Sequence, residues 1–505
     1  MKKTNLFRLF LLLMASVMVL LCFAGCNDNS KKPDDTTESQ EEETDPQFEE
    51  SINNGEYTLQ LPPLNYGNAP ISVLAWNGWG KTEFSHQVEE MNGVAIDEAI
   101  LVRDANLSER VGVILDYTPI EVTSNGTLLT KFKTFVQQAY EGGTPFDIVA
   151  SYSRSNAICA SAGYFMNMSN IKDSFLEIDA PWWNEEITTK SAIGDNYYMI
   201  TGDASALLVQ MTYCVYFNAD MLLDRGLESP YDLVKDNAWT YEKMLEMGMY
   251  FYEDLNDNNK IDLEDMLPII GEYYAWPAFF HGCGINFATK DDDGMIIVDP
   301  VLVDEKAIDL YQVIFDSVHL DGSFVGYDQD LLGNFLAEKS MFWITQSGTA
   351  ATSFADVEFE YGCVPMPKYD TKQEEYRCTV HNDMTLFSIM RGVDEARHQM
   401  ITAVLESWAY EAYTETTPVI FEQIMQYQKS ASPEMTEMLG LIRDSGYFDF
   451  IRLYTVDYGT GIDFIGKYLR NGTNWNEVTK VGGLYEQWCD YNDILMETLM
   501  ELENS

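Results

Sequence analysis

GDASALLVQMTYCVYFNADMLLDRG, residues 202–226, is the stretch that decides the fold. Its middle, residues 207–217, is apolar on both faces of an extended chain, which favours one fully buried strand. A helical pattern begins near Asn218, and strand-like runs alternate with helix-like runs on both sides of the stretch. We therefore predict that this strand leaves one α/β lobe and enters a second, with ligand bound in the cleft that it bridges.

Composition limits the classes of function. The chain has 505 residues with 81 Asp and Glu against 31 Lys and Arg, a formal net charge of -50. A nucleic-acid backbone would be repelled by this charge, so the sequence predicts no nucleic-acid partner. The charge favours a neutral or cationic ligand, or it only keeps the surface solvated. The six cysteines beyond residue 26 have no CxxC or zinc-ligand spacing, and are either buried apolar groups or a disulfide.

The N-terminus has the pattern of a secretory signal peptide, residues 1–25. A basic start precedes the apolar run 9–21, and FAGC follows at residues 23–26. The run is short for a membrane span. It resembles a bacterial lipoprotein signal, although Phe23 stands where Leu is usual, and the alternative is plain secretion. The resemblance implies a lipid on Cys26, which would hold the protein to the outer face of the cytoplasmic membrane. Residues 26–56 are acidic and polar, and are predicted to be a disordered spacer.

The next segment predicts a βαβαβ unit and therefore a parallel sheet. Strands are expected at residues 71–76, 113–119 and 146–152, with helices at 93–112 and 126–140. Ligands bind beyond the carboxyl ends of such strands. Those ends hold Trp76, Trp79, Tyr152 and Arg154. Two tryptophans around a Gly turn suit stacking on a pyranose ring, although Trp76 is equally consistent with core packing.

Four motifs in this order resemble one known family: NGVAIDEAILVRD at 92–104, FDIVASY at 146–152, PWW at 181–183 and YYMITGD at 197–203. The chain resembles extracellular solute-binding proteins of family 1, the carbohydrate-binding subunits of ABC importers. The resemblance implies an α/β fold of the two-lobed, periplasmic-binding-protein-like type II class, in which each lobe is a sheet flanked by helices and the lobes are hinge-linked. It places the first lobe at 57–206 plus 382–445 and the second at 207–381 plus 446–505.

The resemblance also extends the candidate ligand site. Tyr273 and Trp276 would line the cleft from the second lobe, with packing as the alternative for Trp276. Trp343 and Ser347 lie at the end of a predicted strand, SMFWIT, that leads into a polar Gly turn. Trp475 begins the last helical region and either reaches the cleft or packs. The predicted ligand-binding residues are Trp76, Trp79, Tyr152, Arg154, Asp203, Tyr273, Trp276, Trp343, Ser347, His381 and Trp475.

Residues 254–265, DLNDNNKIDLED, have the spacing of an EF-hand loop, which wraps hard oxygen ligands around Ca²⁺. Position 6 is Asn259 instead of Gly and position 12 is Asp265 instead of Glu; Asn tolerates a positive φ. The alternative is a polar turn between two helices. The predicted structural Ca²⁺ ligands are Asp254, Asn256, Asn258, the carbonyl of Lys260, Asp262 and Asp265.

No motif for catalysis stands out. The five histidines form no HExxH pair, and GxSxG, phosphate-loop and GxGxxG motifs do not occur. The prediction is a monomeric binder, not an enzyme, that captures a carbohydrate by hinge closure and delivers it to the transmembrane subunits of an ABC permease. The alternatives are a surface enzyme that degrades polysaccharides in an aromatic cleft and a calcium-dependent adhesion protein.

Overall fold

The structure is a computed structural model that describes residues 58–77, 82–88, 91–121, 125–192, 194–248, 251–272, 275–292, 294–321, 324–326, 331–428, 432–458 and 464–503. The predicted signal peptide, Cys26 and the spacer up to residue 56 lie outside this part of the chain. Within the described residues, none of the helices combines the length and the apolarity needed to span a bilayer.

Two sheets organise the described chain. The strands are β1 Ala69–Asn77, β2 Val113–Glu121, β3 Ile148–Tyr152, β4 Tyr213–Asn218, β5 Leu267–Gly271, β6 Ala288–Lys290, β7 Ile296–Val298, β8 Phe324–Gly326, β9 Ser340–Gln346, β10 Tyr361–Val364, β11 Cys378–Thr379, β12 Thr385–Ser388 and β13 Gly446–Tyr447. The first sheet has the order β12-β3-β1-β2, and the second has the order β10-β4-β9-β5-β8. The short pairs β11-β13 and β6-β7 are separate.

Helices cover the sheets and fill the connections. The α-helices are α1 Ala95–Val111, α2 Asn125–Glu141, α3 Ser153–Ser161, α4 Glu185–Ser191, α5 Ala206–Gln210, α6 Ala219–Asp224, α7 Pro230–Lys235, α8 Tyr241–Gly248, α9 Ala275–Gly282, α10 Glu305–Asp316, α11 Leu331–Leu336, α12 Thr349–Ser353, α13 Glu395–Glu411, α14 Thr417–Met425, α15 Pro433–Asp444, α16 Phe450–Leu453, α17 Phe464–Arg470, α18 Asn476–Thr479 and α19 Leu484–Glu503. Short 3₁₀ turns at Ser85–Gln87, Met168–Asn170 and Pro300–Val303 and π turns at Ser317–Asp321 and Ala412–Thr416 complete the set.

The predicted βαβαβ unit is confirmed. β1 pairs in parallel with both β2 and β3, and α1 and α2 connect these strands. β12 comes from much later in the chain and joins antiparallel to β3. Every residue of β3 is buried, as expected for a strand with helices on both faces. The α/β fold class is therefore as predicted.

The deciding stretch is not one strand, which corrects the prediction for residues 207–217. Residues 206–210 form helix α5, and β4 begins only at Tyr213. Two polar groups start this helix: the Ser205 side chain accepts a hydrogen bond from the N–H of Leu208, and the carboxylate of Glu83 accepts one from the N–H of Leu207. A short run that is apolar on all sides fits a buried helix as well as a buried strand, and these caps decide between them.

Segments on either side of the predicted second-lobe boundary cross side by side. Thr212 forms an antiparallel bridge with Val380, and the N–H of His381 donates to the carbonyl of Met211 at 2.8 Å. From the segment 382–445, β12 joins the first sheet, while its last helix α15 packs against β10 of the second sheet. The lobe boundaries stay a prediction.

Candidate ligand-binding site

The carboxyl ends of both sheets meet the crossing segments. At the end of β3, Ser153 donates its N–H to the Met384 carbonyl and its hydroxyl to the Asn382 carbonyl. At the end of β9, the N–H of Ser347 donates to the carbonyl of Thr212 at 2.8 Å. Ligands of open α/β sheets bind beyond these ends. The site is therefore expected at the two sheet edges that flank residues 209–213 and 381–384, which together form the crossing.

At the edge of the first sheet, the aromatic side chains are packed. Trp76 is fully buried, its indole N–H donates to the Thr385 hydroxyl at 2.8 Å, and its ring lies 5.5 Å from that of Tyr152. Tyr152 is also buried. The structure therefore corrects the predicted stacking role of Trp76 and Tyr152 to core packing. Trp79 lies outside the described residues.

Arg154 keeps a position that suits ligand binding. It is half-buried in the first turn of α3, directly after β3. Its Nε atom is buried and has no hydrogen-bond acceptor among the described residues. The side chain therefore retains donors for a ligand at this edge.

Asp203 is already paired within the protein. Its carboxylate lies 3.1 Å from Nε of Arg443 and accepts a hydrogen bond from the Thr417 hydroxyl at 2.9 Å. Burial raises the pKa of Asp203, and the attraction of Arg443 opposes that rise. This carboxylate ties α14 and α15 to the loop between α4 and α5, so the structure gives it a structural role, and its role in ligand binding stays a prediction.

Ser347 and His381 belong to the crossing. The Ser347 hydroxyl donates to the carbonyl of Val209 at 2.6 Å, and its own carbonyl accepts from Tyr216. His381 is half-buried, with Nδ1 3.4 Å from the Asp383 carboxylate and its ring 6.1 Å from that of Tyr213. The buried Ser347 holds the crossing together instead of facing a ligand, while His381 stays near both edges.

Trp475 and Trp276 are buried in the second half of the chain. The Trp475 indole N–H donates to the carbonyl of Leu302 at 3.1 Å, and its ring stacks on Phe280 with centroids 5.6 Å apart. Trp276 is 2% exposed within the fully buried helix α9. Both therefore take the packing alternative, and Tyr273 lies outside the described residues.

The edge of the second sheet is open. A cavity of about 330 Å³ lies where β5 and β9 end, next to the crossing. It is lined by Glu272, Leu331, Leu332, Trp343, Thr345, Gln346, Gly348, Thr349, Thr352 and Ser353. The ring of Trp343 packs against Phe335 and Phe354, and the side chain is only 3% exposed. Its buried indole N–H has no acceptor among the described residues. Trp343 thus offers a hydrogen-bond donor and not the exposed stacking face that the sequence predicted.

One buried charge network holds the crossing to the first sheet and was missed in the sequence. Glu83 accepts hydrogen bonds from the Ser205 hydroxyl at 2.7 Å and from the N–H of Leu207 at 3.0 Å. Burial raises its pKa, while hydrogen bonds and nearby Arg103 oppose the rise. Nothing in the sequence marks Glu83 among 81 acidic residues, because Ser205 and Leu207, which donate hydrogen bonds to it, lie more than a hundred positions away.

A second buried carboxylate explains the PWW run. The indole N–H groups of Trp182 and Trp183 donate to the two oxygens of Glu406, each at 2.7 Å, and the N–H of Glu177 donates at 3.2 Å. Burial raises the pKa of Glu406 to about 7, against the lowering effect of these three donors. The run therefore anchors the loop before α4 to α13.

The loop 254–265, predicted to bind a cation, runs from α8 into β5 and not between two helices. Asp254 accepts a hydrogen bond from the N–H of Asn259, which has a φ of 56°. Buried Asp265 accepts hydrogen bonds from the N–H groups of Leu255 and Asp262. The donor set is entirely oxygen, as Ca²⁺ prefers. Within the described ranges, however, no three His, Cys, Asp or Glu side chains are arranged to hold a metal ion.

Comparison with known proteins gives independent evidence about the fold. No family model matches the chain. No curated protein matches it either.

Solved structures do match. The ABC substrate-binding protein Lmo0181 from Listeria monocytogenes, in complex with cycloalternan, is 10% identical over 86% of this chain and 99% of its own, with a TM-score of 0.50. The cyclic alpha-maltosyl-1,6-maltose binding protein from Arthrobacter globiformis is 13% identical over 85% and 100%, with a TM-score of 0.55. At these identities the likeness shows the fold, and it confirms the predicted resemblance to two-lobed solute-binding proteins.

Proposed function

We propose that this protein binds a carbohydrate at the carboxyl edges of its two sheets and releases it unaltered. The observation that carries the proposal is the cavity at the ends of β5 and β9, which combines an unpaired indole N–H with hydroxyl, amide and carboxylate groups. Sugars present alternating hydroxyl donors and acceptors, and such a lining can satisfy them.

The fold supports the same function. The two solved proteins of this fold named above bind cycloalternan or a cyclic maltosyl-maltose, according to their descriptions. Fold alone does not fix function. The position of the cavity adds an independent reason, because its lining residue Gly348 donates its N–H to the carbonyl of Gln210 in the crossing at 2.8 Å, so a ligand held there would lie beside the segment that joins the sheets.

Delivery to an ABC permease and attachment through a lipid on Cys26 complete the proposal. Both are supported by the leader sequence and by the acidic segment after it, which would space the folded part from the membrane. Labelling with a radioactive fatty acid tests the attachment. We expect the labelled fatty acid to be incorporated into the wild-type chain and not into Cys26→Ser.

Calorimetric titration tests binding. We expect at least one neutral oligosaccharide from a panel of gluco- and manno-oligosaccharides to bind, and to be recovered intact. Trp343→Phe removes the unpaired N–H and should weaken that affinity roughly fivefold, the value of one hydrogen bond. The matched control is Trp475→Phe, which should lower the melting temperature and leave the affinity unchanged. Failure of every saccharide to bind, or equal loss of affinity in both variants, contradicts the proposal.

We also propose that loop 254–265 binds one Ca²⁺ ion with a structural role, supported by its oxygen donors and the hydrogen bond between Asp254 and Asn259. Calcium at a hundred times its dissociation constant should stabilise the protein by about 2.7 kcal/mol. Asp254→Ala should abolish the rise in melting temperature, while exposed Asp292→Ala, outside the loop, should keep it. An unchanged melting temperature between chelator and millimolar calcium would overturn this proposal.

A further inference from the structure

The cavity at the ends of β5 and β9 has an unbalanced charge. Of the ten described residues that line it, Glu272 alone is ionisable, and none is Lys, Arg or His. A second cavity of about 750 Å³, near α10, is different, because its carboxylates lie beside Lys306, Lys372 and Arg377. The negative charge beside the proposed ligand is therefore not compensated by the residues that line its cavity.

Glu272 has no partner that would explain its position. Its side chain is half-buried directly after β5 and makes no hydrogen bond or ion pair with another described residue. Two other buried carboxylates of the described chain are supplied with donors: Asp203 has Arg443, and Glu406 has two indoles. Covering a carboxylate with a ligand that brings no donor costs free energy, so the ligand must bring one.

From this we infer that Glu272 makes the site selective for the charge of the sugar, favouring amine-bearing over neutral and neutral over acidic saccharides. The inference rests on the proposed function and names the class of ligand for the same cavity. An ammonium group would form a charge-assisted hydrogen bond with Glu272, and hydroxyl groups would form neutral ones. A carboxylate, sulfate or phosphate on the sugar would face a like charge at short range.

The rest of the lining is compatible with this selection. Thr345, Gln346 and Thr349 can donate to or accept from hydroxyl groups, and the N–H of Trp343 needs an acceptor. These groups are uncharged and do not distinguish the three classes of sugar by charge. Among the described lining residues, selectivity for the charge of the sugar therefore depends on the single side chain of Glu272. It can be tested separately from sugar binding.

The test uses three sugars on one ring: D-glucosamine, D-glucose and D-glucuronate, each titrated into the full chain at low ionic strength. For the wild-type protein we expect glucosamine to bind at least tenfold more tightly than glucuronate, with glucose between them. Glu272→Gln keeps the shape and removes the charge, so the ratio should fall to about one. The control Glu375→Gln changes net charge equally at an exposed residue of the second cavity and should leave the ratio as in wild type.

The outcomes distinguish a failure of charge selectivity at Glu272 from a failure of sugar binding. If glucosamine and glucuronate bind with equal affinity, or if Glu375→Gln changes their ratio as much as Glu272→Gln does, the inference about Glu272 is overturned and sugar binding stands. If none of the three sugars and no neutral oligosaccharide binds, the proposed function fails instead. A ratio that collapses only in Glu272→Gln supports the inference.

Discussion

The two sheet edges differ in how completely their polar atoms are used. At the first-sheet edge, Trp76 donates to Thr385 and its ring packs on Tyr152. At the second-sheet edge, Trp343 has no acceptor and Glu272 has no donor among the described residues. Both edges place an aromatic residue near a strand end, so aromatic content does not distinguish them. Unused hydrogen-bonding capacity of the aromatic residue does: the second edge leaves an indole N–H and a carboxylate for a ligand, whereas the first edge leaves the Arg154 donor.

Removing one carboxylate that has donors and one that has none should test this contrast most strongly. Glu406→Ala leaves the N–H groups of Trp182, Trp183 and Glu177 buried without an acceptor, and should lower the free energy of unfolding by about 4 kcal/mol. Glu272→Ala strands no donor and should change it by less than about 0.5 kcal/mol. Urea denaturation at pH 7 measures both.

Glu406→Gln is the control for the first of these variants. It keeps one acceptor oxygen and nearly the same volume, so it should cost less than the alanine variant. Equal losses for Glu406→Ala and Glu272→Ala would mean that Glu272, like Glu406, has donors within the protein.

The pH dependence of stability should sharpen the same contrast. The pKa of Glu406 is raised by burial to about 7 in the folded protein, above the ordinary 4.5 of the unfolded chain. The folded state therefore binds the proton more tightly, so this contribution is fully present below pH 4.5 and is lost as pH rises through 7. Relative to Glu406→Gln, wild type should lose up to about 3 kcal/mol between pH 4.5 and pH 8.

The measurement is a series of urea unfolding curves for both proteins across that pH range. Because other groups titrate in both, only the difference between the two proteins is compared. A Glu406 difference that grows with the opposite sign would mean that its three donors, and not burial, set its pKa.

The smallest expected effect concerns the two tryptophans. Phe in place of either residue removes similar apolar volume, but only Trp76 loses a hydrogen bond. Trp76→Phe should therefore cost about 1 kcal/mol more than Trp343→Phe. Thermal unfolding of both variants without sugar gives this difference. Equal cost, or greater cost for Trp343→Phe, would indicate that the Trp343 N–H is bonded within the protein.

Much of the fold could be predicted because its signals are local. The apolar runs of β1 and β3 and the helical period of α1 and α2 lie within short windows, and a parallel sheet follows from their order. The failure at residues 207–211 has a non-local cause. Glu83 caps α5 from 124 positions earlier, so the sequence window around the helix does not contain the group that starts it.

The site could be predicted only as far as its place at the strand ends. The role of Trp76 depends on Thr385, 309 positions away, and the role of Trp182 depends on Glu406, 224 positions away. The sequence pattern of an aromatic residue after a strand is the same whether or not a distant residue accepts its hydrogen bond. Glu272, without a partner, looks like any other acid in a chain of net charge -50.

Gly202, in the stretch 202–226, lies so close to a neighbouring backbone segment that substitutions there should be rejected. It forms a bridge with Trp183, and a Cβ atom placed on it would lie 2.2 Å from the carbonyl oxygen of Trp182. That neighbour is backbone, which cannot rotate away as a side chain would. In a saturation library, codon 202 should therefore reject even alanine, and it would be a sensitive marker of whether a distant homologue keeps the same contact between these two segments.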